Sequence, residues 1–76
     1  MNYRLIVRWG ATEEITEQYF PSFGDADTVI DYLKRALENG ARVSWILQKK
    51  QKNEQVVALD SYDQVGDLEY ISWMAN

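Results

Sequence analysis

The sequence predicts an α+β domain: an antiparallel sheet of four or five strands in the order ββαββ, the fifth at the C-terminus, with one helix packed on one face. Three observations point there. Asn2 to Trp9 alternate apolar and polar with the period of two that a half-buried strand requires. Ala26, Val29, Ile30, Leu33, Ala36 and Leu37 recur at helical spacing. Two pairs of strand-like segments flank that helix, and one helix between two hairpins can cover only one side of an antiparallel sheet. With 76 residues, 46% of them hydrophobic and 13% aromatic, residues 1–76 are expected to form a single small domain rather than a disordered chain.

In the first strand, Tyr3, Leu5, Val7 and Trp9 face one way and Arg4, Ile6 and Arg8 the other. Gly10-Ala11 suits a two-residue type II′ turn, which sets Arg8 opposite Glu13, Ile6 opposite Ile15 and Arg4 opposite Glu17 in a second strand over 12–20. Glu14, Thr16 and Gln18 make the inward face of that strand polar, so an edge position is expected. Pro21-Ser22-Phe23-Gly24 reads as a loop and Asp25 as the N-cap of the helix. Asp27, Asp31, Lys34, Arg35 and Glu38 form the solvent face, and Asn39-Gly40 is a stop in the left-handed region. Ala41 to Lys49 alternates again, with Val43, Trp45 and Leu47 opposed to Arg42, Ser44, Ile46 and Gln48. A polar turn over Lys50-Gln51-Lys52-Asn53 leads to a fourth strand at Gln55 to Leu59. Asp60 to Asp67 reads as a loop, and the aromatic and β-branched content of Leu68 to Met74 favours a fifth strand over a helix.

Composition removes several function classes. There is no cysteine and no histidine, so disulfide staples, structural zinc and a side chain titrating near neutrality are all missing. Ser22, Ser44, Ser61 and Ser72 therefore have no histidine to activate them, and the glycines form no phosphate-cradling loop. No catalytic residue and no cofactor is assigned, and a non-enzyme is expected. Counting from Asp60, the third position is Tyr62, the fifth Gln64 and the seventh Gly66, so the spacing of a calcium loop is absent. Asp25, Asp27 and Asp31 at a helix start are explained by capping and the helix dipole, and no metal is assigned. No apolar run is long enough for a membrane span, and Arg4 and Arg8 interrupt any signal-like segment, so a cytoplasmic protein away from membranes is expected.

What remains is surface. The face opposite the helix would carry Ile6, Ile15, Ile46, part of Val56 and Ala58, and in a fifth strand Ile71 and Trp73, more apolar area than a small monomer leaves in water. Trp9 and Trp45 belong by phase to the core, whereas Trp73 either closes the core or anchors an interface. From Asp60 onward the charges are all acidic, at Asp60, Asp63, Asp67 and Glu69, and spaced carboxylates can answer the arginines and lysines of a basic surface. The expected function is a non-catalytic protein-binding module, acting on a protein partner or by self-association as a homodimer through Ile6, Ile46, Asp60, Asp63, Asp67, Glu69 and Trp73. A small acidic domain with its own initiating Met suits an inhibitor or adaptor of the kind that phages and other mobile elements direct against nucleic-acid-binding or host-defence proteins. The alternative is a nucleic-acid-binding domain using Arg4, Arg8, Arg42, Lys49, Lys50 and Lys52. The net charge of −4, from 8 basic and 12 acidic residues, disfavours it because such binding runs on clustered cations.

Overall fold

The computed structural model describes residues 3–50 and 56–64. They form β1 (Tyr3–Trp9), β2 (Ile15–Phe20), α1 (Phe23–Glu38), β3 (Val43–Lys50) and β4 (Val56–Asp63). The four strands make an antiparallel sheet in the order β2-β1-β3-β4, with α1 across one face over β1, β2 and β3. This is the α+β architecture that the alternation and the helical spacing predict, with β2 at an edge. The expected fifth strand at Leu68 to Met74 lies outside the described residues.

The core lies between helix and sheet. Leu5, Val7, Val43, Trp45 and Leu47 from the sheet meet Ala26, Ile30 and Leu33 from α1, with Tyr3, Trp9, Phe20, Val29 and Leu37 packed around them. Each fully buried Leu or Ile in this layer contributes roughly 1.5–3 kcal/mol from lost contact with water. Tyr3 and Phe23 meet edge to face with ring centroids 6.2 Å apart, fixing the start of the helix over the start of β1.

Three local expectations are corrected. The first hairpin closes through Gly10–Glu13 rather than a two-residue turn: Trp9 N donates to Glu14 O at 2.9 Å, and Glu13 takes the left-handed conformation at φ 57°. The register therefore moves by two, setting Arg8 opposite Ile15, Ile6 opposite Glu17 and Arg4 opposite Tyr19. A shift of two preserves the faces of the strands. Arg4 and Glu17 still meet, diagonally, with Nε and Oε1 3.0 Å apart. Gly10 is held on the other side by the residue just ahead of β3, donating to Arg42 O at 2.8 Å. A Cβ at Gly10 would stand 2.9 Å from that of Arg42, so the close approach needs a glycine.

The second correction concerns the helix start. Ser22, not Asp25, is the N-cap: its extended backbone precedes the helix and its Oγ accepts from Asp25 N at 3.2 Å. Pro21 holds Phe20 in the extended region, so strand becomes helix within two residues and no separate loop is needed. The other end matches its expectation. Ala41 N donates to Ala36 O and Gly40 N to Leu37 O, both at 3.0 Å, with Gly40 at φ 92°, the two-bond closure that satisfies terminal carbonyls.

The third is the length of β4. The stretch Asp60 to Asp63, expected in a loop, continues the strand. Its pairing with β3 skips one residue: Leu47 lies opposite Asp60 and Gln48 opposite Ala58, which leaves Leu59 as the extra residue of a bulge. The extension is held by contacts that polarity conceals. Tyr62 lies on Trp45 with ring centroids 5.2 Å apart, Ser44 Oγ donates to Asp63 Oδ1 at 3.2 Å, and Val43 N donates to Gln64 Oε1 at 3.2 Å.

Candidate partner-binding surface

Strand pairing assigns each paired sheet residue to a face. Arg4, Ile6, Arg8, Ile15, Glu17, Tyr19, Ser44, Ile46, Gln48, Lys50, Val56, Ala58, Ser61 and Asp63 lie opposite the helix. The five apolar residues expected there, Ile6, Ile15, Ile46, Val56 and Ala58, are all on that side. They differ sharply in exposure. Ile6 is 1% exposed and Ile46 half-buried, whereas Ile15 at 46% and Val56 at 41% stand in solvent near the two edges.

Of the four C-terminal acids, the two within the described residues, Asp60 and Asp63, do not share a face. Asp60 pairs with Leu47 and points to the helix side, half-buried, while Asp63 pairs with Ser44 on the opposite side and is exposed. Asp67, Glu69 and Trp73 lie outside the described residues. The basic residues are divided too: Arg4, Arg8 and Lys50 lie on the face opposite the helix and Lys49 on the helix side. Arg4 is engaged by Glu17 with its side chain only 12% exposed, and Lys49 is on the helix side with Nζ 5.4 Å from the centre of the Tyr3 ring. Lys52 is outside the described residues. Among the described residues no three His, Cys, Asp or Glu side chains group as a metal ion would need, and no helix is long and apolar enough to cross a membrane.

Beyond Val56, sequence reasoning passed over the apolar side chains of β4 at Val57, Leu59 and Tyr62. Val56, Val57, Leu59 and Tyr62 are 36–43% exposed on a strand that, among the described residues, has a neighbour on one side only. Alternation should have placed Val57, Leu59 and Ser61 on one face. The bulge breaks that pattern, so Val57, Asp60 and Tyr62 share the helix side. The aromatic Tyr62 within Asp60-Ser61-Tyr62-Asp63 was the available signal, since a tyrosine flanked by polar residues at alternate spacing also suits an edge strand.

At β2, Tyr19 donates its phenol to Glu17 Oε1, the carboxylate that also receives Arg4. That hydrogen bond, made to a negatively charged acceptor, pushes the Tyr19 pKa up. Arg4, Glu17 and Tyr19 thus form a charged chain along the open face, while β4 presents apolar side chains with two carboxylates among them. Compared with known proteins, the chain matches no protein-family model, no curated protein and no solved structure.

Proposed function

We propose that the chain is a non-catalytic protein-binding module, a small cytoplasmic inhibitor or adaptor, and that β4 is its contact strand. The observation that carries this reading is the exposure of Val56, Val57, Leu59 and Tyr62 along β4, which among the described residues is an edge strand, with Asp60 and Asp63 among them. Exposed apolar side chains on an edge invite association, and interleaved carboxylates select which surface can approach. The partner is therefore a protein whose contact surface combines apolar groups with arginine or lysine. The bulge at Leu59 interrupts the regular ladder, so recognition rests on side chains more than on a continuous backbone pairing.

The test is affinity capture from the source cell with the native chain and a Val57→Lys, Leu59→Lys variant shown by circular dichroism to be folded. Proteins retained by the native chain should be lost with the variant. Equal retention by both chains would remove β4 from the interface. A shift of nucleic acid by the purified native chain at low salt would favour the alternative class instead.

A further inference from the structure

Among the described residues β2 has a neighbour on one side only, β1. The direction of its free backbone groups follows from two hydrogen bonds beside the sheet. Trp9 N donates to Glu14 O, and on the other side of β1 Gly10 N donates to Arg42 O. Bonded and non-bonded pairs alternate along an antiparallel ladder, so the odd-numbered residues of β1 bond β2 and the even-numbered ones bond β3. Thr16, Gln18 and Phe20 are therefore the residues of β2 tied to β1. The N–H and C=O groups of Ile15, Glu17 and Tyr19 turn outward, beside side chains that are exposed, Ile15 at 46% and Tyr19 at 53%.

Sheet edges are commonly protected by bulges, lysines or other charged side chains. The other edge strand among the described residues, β4, has a bulge and carries two carboxylates. β2 has neither a bulge nor a lysine. Its pairing with β1 is regular from Ile15 to Phe20, and its one charged side chain, Glu17, is met by Arg4 Nε of its own chain at 3.0 Å.

We infer that β2 pairs with β2 of a second copy, antiparallel about a twofold axis, with Gln18 opposite Gln18. A twofold axis normal to the sheet sets one residue opposite itself and keeps each face continuous across the join. Centring on Thr16 or Tyr19 shortens the overlap, because the strand ends at Ile15 and Phe20. Centring on Glu17 brings two carboxylates face to face, which is destabilising. Centring on Gln18 opposes no like charges. It sets Thr16 opposite Phe20, and Glu17 opposite Tyr19 of the second copy. Both of these have outward backbone groups, so they exchange main-chain hydrogen bonds. Their side chains suit each other, since within one chain the Tyr19 phenol already donates to Glu17. The strand is thus complementary to itself, which is why a second copy is the occupant. The join makes one sheet of the two four-stranded ones and leaves a β4 near each outer edge, about 34 Å apart along the sheet. A module with two contact strands rests on the β4 reading; the dimer does not.

The experiment is sedimentation equilibrium on the full-length chain up to millimolar concentration, with isotope-filtered nuclear Overhauser spectroscopy on a mixture of labelled and unlabelled protein. A concentration-dependent dimer is expected, with a contact between the Gln18 Hα protons of the two copies, since non-bonded antiparallel pairs hold their Cα atoms about 4.5 Å apart. Tyr19→Glu sets acid against acid and should weaken the dimer at least about tenfold. Adding Glu17→Lys to that variant should restore it, because unlike charges then oppose across the join and Arg4 faces the new carboxylate directly across β1. Circular dichroism checks that both variants are folded. Val57→Lys with Leu59→Lys should leave the dimer unchanged, which separates this inference from the β4 reading. A monomer at every concentration, a dimer lacking the Gln18 contact, or a Tyr19→Glu variant that associates as the native chain does would each overturn it.

Discussion

Leu47 and Leu59 lie on adjacent strands of one sheet, but Leu47 is 0% exposed and Leu59 43% exposed. Truncating both to alanine separates residues that hold the fold from residues left for a partner. Leu47→Ala removes a side chain from the layer between Leu5, Trp45 and the helix, where it loses transfer energy and leaves a cavity, about 2–5 kcal/mol together. Leu59 keeps nearly half of its surface in water, so its truncation forfeits about 1 kcal/mol and leaves no enclosed hole. A domain of this size has roughly 4–11 kcal/mol in total, so the first change takes a large share of it. At about 4–8 °C per kcal/mol, a loss of about 3 kcal/mol lowers Tm by roughly 12–24 °C, against roughly 4–8 °C for Leu59→Ala. Urea unfolding followed by tryptophan fluorescence reads both variants, with an unchanged slope showing that only stability has moved. Equal losses at the two positions would refute the assignment of Leu59 to an outward surface.

Other expectations follow from local geometry. Ser22→Ala removes the acceptor for Asp25 N and should cost about 1 kcal/mol by urea unfolding, while Asp25→Ala, which removes only a first-turn charge, should cost less. Gly10→Ala would force its Cβ against Arg42 and should destabilise the hairpin, whereas Gly24→Ala, with open space in the first turn of α1, should stabilise by up to about 1 kcal/mol in the same assay. The raised Tyr19 pKa gives a contribution that is intact below the unfolded value and lost as pH rises through the folded one. Phenolate absorbance should therefore show one tyrosine titrating late, and Tyr19→Phe should remove that late phase.

Local patterns were legible where a single period decides. The 3.6 spacing from Ala26 to Leu37 and the alternation of β1 and β3 each assign residues to the core, and Asn39-Gly40 marks the helix end. What the patterns could not supply is the pairing of one segment with another. Gly10-Ala11 fits a tight turn in isolation, but Gly10 is drawn against Arg42, just ahead of β3, and the turn widens to four residues with Glu13 in the left-handed region. The polar stretch from Asp60 to Asp63 reads as a loop because its partners, Trp45 and Ser44, are distant in sequence. The candidate surface was half visible for the same reason. Ile6 and Ile46 could be placed on the right face by parity, since a shift of two leaves parity intact, but parity does not distinguish the buried Ile6 on central β1 from the exposed Ile15 on β2. The exposed row on β4 depends on a bulge that no local pattern announces.

The most direct test of β4 as the contact strand is amide hydrogen exchange on the chain alone and on its complex with the captured partner. Binding through β4 predicts slowed exchange at Val56–Asp63, with β2 at the far edge unchanged. Slowed exchange at Ile15–Phe20 or along α1, with β4 unaltered, would contradict it.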